Sequence, residues 1–325
     1  MNTSNDSVCG NRPADFQFYL FPITYGLVLV FGLLGNLGAL YVYIFRTEQK
    51  SPSTIYFISL AVADTMFLSV LPFRIHYHLN GNNWIFGTES CRLTGILFFG
   101  NIYISITFMS CICVDRYLAT VHPHTYLRLR NTCCSLVVCV TIWGLSGTAI
   151  LVFMLTSPNT HKNTAENCTN CFENFSETEW KTKLAPFSTF CLIFGALLPL
   201  ITILVLYPVV ARRIAKIRTR TACGALRIIY TIMAITVICF LPFHLVYLLH
   251  ILWRTKVIDS AAAGDGIFKA RRITMALVSM NSLFDPVLYY FATSHCKWTV
   301  KWNFKWLKPK KRKGVYIISE DLQAR

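Results

Sequence analysis

Charge is what this sequence has least of. Asp and Glu number 15 and Lys and Arg 31, together 14% of 325 residues, against 54% hydrophobic residues. A soluble domain solvates its surface with far more charge, so that class is excluded. No cleavable secretory leader is apparent: Met1–Phe16 is polar, with no apolar stretch of its own, so the first apolar run is expected to act as an uncleaved signal-anchor. No internal repeat is visible, which disfavours an inverted-repeat transporter. Neither His-Glu-x-x-His nor Gly-x-Ser-x-Gly occurs, and no carboxylates pair at a water-facing end, so an enzyme is not expected.

What is present is apolar length. Seven runs of a size that crosses a bilayer stand apart from one another: Tyr19–Phe45, Thr54–His78, Arg92–Val121, Cys133–Leu155, Pro186–Val210, Leu226–Trp253 and Arg272–Phe291. The expected fold is an all-α membrane protein, a seven-transmembrane helix bundle occupying residues 18–293. Residues 1–17 form an extracellular segment, and 294–325 a short amphipathic helix and cytoplasmic tail. Lys and Arg orient the bundle. Arg46 and Lys50 follow span one, and Arg128 and Arg130 follow span three. Arg212, Arg213, Lys216, Arg218 and Arg220 follow span five, and Lys308-Pro309-Lys310-Lys311-Arg312-Lys313 lies in the tail. The N-terminus is therefore expected outside, in a multi-pass protein of the plasma membrane. The net charge of +16 reflects this inner bias and attraction to anionic membrane lipid rather than to nucleic acid.

The outer side carries its own marks. Sequons at Asn2, Asn5, Asn167 and Asn174 all fall there, as glycosylation requires. So do Cys9, Cys91, Cys168 and Cys171, four of the 13 cysteines, in an oxidising setting. Four cysteines allow three pairings. The favoured one joins Cys91 to Cys171 and Cys9 to Cys168, tying the top of span three and the N-terminal segment to the same long loop. Cys111, Cys113, Cys133, Cys134, Cys139, Cys191 and Cys239 read as small apolar packing residues. Cys296, just past span seven, is a palmitoylation candidate. Trp298, Trp302, Phe304 and Trp306 among lysines suit a helix lying in the inner headgroup layer.

Ionisable groups inside lipid are costly and need a reason. Asp64 lies ten residues into span two, roughly 15 Å deep. Asp285 lies low in span seven beside Pro286, and Asn36, Ser105 and Asn281 offer oxygens at similar depth. Two readings stand: a site for Na⁺ or a proton, or a water-filled cluster that holds helices together. Asp115-Arg116-Tyr117 ends span three at the inner face. A local ion pair there can hold Arg116 in one state and release it in another, within reach of Tyr207 and Tyr289; the plainer reading is a snorkelling pair. Pro199, Pro242 and Pro286 permit kinks within their spans.

Against the inside bias, the outer ends are cationic: Arg74, Lys181, Lys183, Arg254, Lys256, Lys269, Arg271 and Arg272. Convergent Arg and Lys suit a phosphate or carboxylate. Helix-end snorkelling or pairing with Glu173, Glu177 and Glu179 is the alternative, preferred for Lys183, Lys256 and Lys269. For the deeper Arg74, ligand binding is preferred. His76, His78, His161 and His250 lie on the same side, where a proton sensor would place them; the four are dispersed, and the plainer reading is a simple polar anchor at a helix end.

Together these residues resemble the rhodopsin-family (class A) G-protein-coupled receptors. The resemblance rests on Gly35-Asn36, Leu60-Ala61-Val62-Ala63-Asp64, Trp84, Cys91, Asp115-Arg116-Tyr117, Trp143, Pro199 with Tyr207, Cys239-Phe240-Leu241-Pro242 and Asp285-Pro286-Val287-Leu288-Tyr289, which span the membrane body. It implies an allosteric sodium site bounded by Asp64 and Asp285, a G-protein contact at Arg116, and a pivot at Phe240 and Pro242. Phe240 stands where the family usually has tryptophan, Asp285 where it usually has asparagine, and Thr236 where it usually has phenylalanine.

Within the family the chain is similar to the non-endothelial lysophosphatidic acid receptors, through Leu71-Pro72-Phe73-Arg74, Cys171-Phe172-Glu173-Asn174-Phe175, Trp180-Lys181 and Trp253-Arg254-Thr255-Lys256. Its extra Cys168 is a type-five-like trait, while Gln17 stands where some relatives have lysine. The resemblance implies a phosphate held by Arg74, Lys181 and Arg254, a pocket lined by Tyr103, and a heterotrimeric G protein and arrestin as partners. No cofactor is expected beyond allosteric Na⁺. The competing expectations are a proton-sensing or platelet-activating-factor-like receptor and, from another class, an ion channel or transporter.

Overall fold

The computed structural model describes residues 14–47, 51–122, 126, 132–156, 160–163, 168–172, 175–216, 220–258 and 260–293. Asn2, Asn5, Asn167, Asn174, Cys9, Cys296 and the tail helix lie outside these residues.

Among the described residues, six helices are long and apolar enough to cross a membrane. They are α1 (Gln17–Arg46), α2 (Pro52–Leu79), α3 (Thr88–Val121), α4 (Thr132–Thr156), α5 (Glu177–Ile214) and α6 (Gly224–Arg254). The seventh span is α7 (Ala261–Ser279), followed across Met280 by α8 (Asn281–Thr293). It falls short of that apolar standard for a visible reason: Asp265, Lys269, Arg271 and Arg272 crowd its outer end. The helices outrun the apolar runs mainly where polar residues extend or cap them. Ser51 accepts the Thr54 backbone N–H to start α2, with Pro52 in the first turn. Ser176 and Glu179 form a capping box that starts α5 nine residues before Pro186. Ser260 caps α7 through the Ala263 N–H.

Burial separates the helices by role. Most of α2 is buried, as is the inward face of α3, whereas α1, α4 and α5 present broad apolar faces outward. Hence α3 packs against α2, α4 and α5, α6 against α7 and α8, and α1 closes the ring against α2, α7 and α8. Such a face suits lipid, where apolar exposure costs nothing. Cys133 and Cys134 are exposed at the start of α4, so their expected packing role does not hold; they begin a helix whose surface is largely outward.

The described part of the long outer loop is built on two strands. Strands β1 (Thr160–Asn163) and β2 (Cys168–Cys171) pair antiparallel, with Thr160 opposite Cys171 and Asn163 opposite Cys168. The hairpin is pinned to the α2–α3 turn: Trp84 N–H donates to the Thr169 carbonyl at 2.8 Å, and Thr169 N–H donates to Asn83 Oδ1 at 3.1 Å. Cys171 is disulfide-bonded to Cys91. Cys168 is also in a disulfide, and its partner is outside the described residues. Phe172 then adopts a left-handed backbone (φ 58°) and lays its ring on Gly95, one turn beyond Cys91. A Cβ at Gly95 would stand 2.0 Å from that ring, so only glycine admits the hairpin at this height.

Candidate functional site

A cavity of about 750 Å³ begins under the hairpin and runs down between α3, α4 and α5. Its outer end holds Gln17, Asn82, His250, Arg254, Arg271 and Arg272. Its inner reach is mainly apolar, lined by Ile104, Ile142, Leu145, Ala149, Phe190 and Phe194 with Thr107 and Ser146 among them. Leu145, Phe190 and Phe194 are each more than half exposed, so this end communicates with the lipid face between α4 and α5. One compartment is cationic and the other oily. That suits a molecule with an anionic head and a hydrocarbon chain.

Aromatic rings position the cations. Arg254 lies 5.1 Å above the Trp180 ring, and its guanidinium donates to the Phe175 carbonyl at 2.6 Å. Arg272, buried, lies 4.8 Å from the Phe268 ring and 6.0 Å from the Phe21 ring. Cation–π contacts of this kind hold a guanidinium in place through its face, while its hydrogen bonds are made in its plane. Trp253 is itself fixed by Gly264, where a Cβ would stand 2.6 Å from the indole.

Of the residues that the resemblance puts on a headgroup, Arg254 and Tyr103 line the cavity. Lys181 is exposed on the outer turn of α5 and is not part of the wall. Arg74 is buried with its guanidinium carbon 4.8 Å from the Phe98 ring, also off the wall. Arg271 and Arg272 stand on the wall in their place. Both were legible as outer cations, but only the helix phase of α7 turns them inward.

At mid-depth, Asp64 is fully buried. Its Oδ1 accepts from Asn101 Nδ2 at 2.9 Å and from Ser282 Oγ at 2.7 Å. Asn101 also donates to Ser105 Oγ at 3.2 Å. Asn36 donates to the Ser282 and Gly32 carbonyls, both at 2.9 Å, and accepts from the Tyr289 hydroxyl at 3.3 Å. Asp285 faces Asp64 across α2 and α8. Among the described residues, no other group donates to Asp64 Oδ2 or to either Asp285 oxygen, all buried, and none accepts from the buried Asn281 Nδ2. Two facing carboxylates that only accept require a shared proton or a cation between them. The oxygens of Asp64, Asp285, Ser105 and Ser282 are the hard donors Na⁺ takes, so the residues fit the ion. Asn101 and Ser282 escaped the sequence reading; the signal for Asn101 was its place one turn before Ser105 on the same face of α3.

At the inner end, Arg116 lies 3.6 Å from Asp115. Ser53 of α2 joins them, its hydroxyl donating to the Asp115 carboxylate and accepting from the Arg116 guanidinium. Tyr207 is fully buried beside Cys113. Tyr289 does not meet Arg116: its hydroxyl is on Asn36, and its ring packs edge-on against Tyr43 and Phe57. Above, α6 winds wide over Thr236–Phe240, with Leu241 N–H closing back on the Thr236 carbonyl just before Pro242. Phe240 is fully buried at that loosened turn and stacks on His244, 6.5 Å away.

A seven-helix bundle with an outer cavity, a mid-depth carboxylate pair and an inner Asp-Arg-Tyr triad defines a class, and the chain belongs to it: residues 35–289 match the 7 transmembrane receptor (rhodopsin family). This is a family of receptors, not of enzymes. Among its relatives, lysophosphatidic acid receptor 6 of Gallus gallus is 33% identical over 285 residues, 86% of this chain and 91% of that protein. Lysophosphatidic acid receptor 4 of Homo sapiens is 34% identical over 284 residues, covering 85% and 75%. The uracil nucleotide/cysteinyl leukotriene receptor of Homo sapiens is 33% identical over 289 residues, covering 87% and 76%.

Proposed function

We propose that this receptor binds an anionic lysophospholipid, with lysophosphatidic acid as its ligand, at the plasma membrane, and passes the signal to a heterotrimeric G protein. The observation that carries the reading is the two-part cavity: Arg254, Arg271 and Arg272 at one end, and an apolar channel open toward lipid at the other. The likeness to lysophosphatidic acid receptors supports the same ligand. A nucleotide, as the name of the third relative would suggest, satisfies the cations but leaves the apolar arm empty.

In this reading the phosphate takes bidentate hydrogen bonds from the guanidiniums, and the acyl chain lies along Ile104, Ile142 and Phe194. The chain passes Tyr103, which touches Gly195 of α5 and faces His244 one turn above Phe240. A ligand that favours one arrangement of these side chains shifts α6 about its wide turn, by as much as its affinity for the two states differs. Release of Arg116 from Asp115 and Ser53 then opens the inner face to G protein, with arrestin as a later partner. Na⁺ held by Asp64 and Asp285 favours the resting arrangement. The N-terminus is outside, in accord with the inner Lys and Arg.

Cells expressing the receptor should activate G protein on addition of lysophosphatidic acid and not of the uncharged monoacylglycerol. Silence toward lysophosphatidic acid at normal surface expression rejects the proposal. A response to acid alone would favour the proton-sensing alternative.

A further inference from the structure

His250 lies one turn before the outer end of α6 and is buried, at 5% exposure. The Trp180 ring meets it edge-on at 5.2 Å, and the Trp253 ring lies 6.1 Å away. Its Nε2 is 3.5 Å from an Arg271 guanidinium nitrogen. Its Nδ1 is buried with no hydrogen-bond partner, and the residue forms part of the cavity wall. Buried ring nitrogens usually have partners; His244 on the same helix has none on either nitrogen but lies off the cavity wall, whereas His250 forms part of it. This one has a single partner, and that partner fixes its tautomer. A guanidinium can only donate, so Nε2 must accept from Arg271. The proton of the neutral ring is then on Nδ1, the nitrogen that lacks an acceptor.

We propose that His250 is a ligand-binding residue whose Nδ1–H donates to an oxygen of the anionic headgroup held by Arg254, Arg271 and Arg272. The inference rests on the anionic-lysolipid reading and names a further contact within that site. Arg271 serves twice: it attracts the headgroup, and it orients the imidazole so that a donor faces the cavity. A phosphomonoester offers three terminal oxygens, enough for the guanidiniums and the imidazole together. A carboxylate offers two.

Side-chain amides separate the two nitrogens. His250→Asn keeps a donor near the Nδ1 position, His250→Gln keeps a polar group only near the Nε2 position, and His250→Phe keeps the ring against Trp180 with no polar atom. Binding of radiolabelled lysophosphatidic acid to membranes bearing each form at matched surface density is the test. His250→Phe and His250→Gln should each weaken binding at least tenfold, and His250→Asn should remain within threefold of the parent. Equal loss in Asn and Gln forms, or parent-like binding by the Phe form, overturns the Nδ1 contact while leaving the lysolipid reading intact. If His250→Phe fails to reach the surface, the Asn and Gln forms alone decide. No binding by the parent receptor overturns both.

Discussion

The Arg254 guanidinium donates to the Phe175 carbonyl at 2.6 Å, fastening the outer end of α6 to the segment after the hairpin. One side chain thus closes the roof of the cavity and supplies a cation to its wall. Arg254→Ala removes both functions, and Arg254→Lys keeps the charge without the planar fork. Potency toward lysophosphatidic acid should fall at least tenfold in the Ala form, about 1.4 kcal/mol, and by less in the Lys form. Arg272→Ala should fall as far without disturbing the Phe175 contact. Dose–response curves for G-protein activation check this. An Arg272→Ala receptor with parental potency would remove the anion from this end of the cavity.

The buried oxygens of Asp64 and Asp285 make a second expectation. If Na⁺ sits between them and favours the resting state, replacing sodium by N-methylglucamine should raise agonist affinity severalfold in the parent. Asp64→Asn and Asp285→Asn receptors should show no such dependence, because a neutral amide no longer draws the ion. Agonist binding at fixed ionic strength, with and without sodium, is the measurement. Parental sensitivity in both variants would assign the cluster to water and a shared proton.

Much of this was legible in the sequence. Apolar run length marked the seven spans, because bilayer thickness acts on composition directly. The carboxylates were legible for the same reason: a charge in lipid stands out residue by residue. The make-up of the cavity wall was not. Arg74 and Arg272 are both buried outer-end arginines, and only helix phase puts one behind Phe98 and the other on the cavity wall. The β-hairpin was hidden because Thr160–Asn163 and Cys168–Cys171 carry little apolar alternation. Their pairing is secured by the Cys91 link and by the Asn83 and Trp84 contacts, which are tertiary. Ser53 was invisible as a switch element because one serine in a helix's first turn usually serves only capping.

Ser53 gives the third prediction. Its hydroxyl is shared by Asp115 and Arg116, so Ser53→Ala takes one group from each side of the resting pair. A hydrogen bond of this type contributes about 1 kcal/mol, or roughly fivefold in the balance between resting and active states. Basal G-protein activation without ligand should rise by up to that factor, while lysophosphatidic acid affinity should rise slightly as the competent state becomes more populated. Unchanged basal activity at equal surface density would mean that the Asp115–Arg116 pair holds without its bridge.

The apolar arm of the cavity should be readable in chain length. Ala149 of α4 lies on its wall near Phe190 and Phe194 of α5. Ala149→Phe adds a ring where an acyl chain would run, and overfilling of packed apolar space typically costs about 1–3 kcal/mol. A ligand whose chain stops short of this point does not meet the ring, whereas a longer one must bend or withdraw. The variant should therefore lose tenfold or more in potency toward an 18-carbon lysophosphatidic acid and much less toward a short-chain homologue, as each lost CH₂ contact removes about 0.8 kcal/mol. The ratio of the two potencies, parent against variant, cancels any general effect on expression or coupling. If both homologues lost potency equally, the chain would not occupy the space between α4 and α5, and the cationic end of the cavity would have to account for recognition by itself.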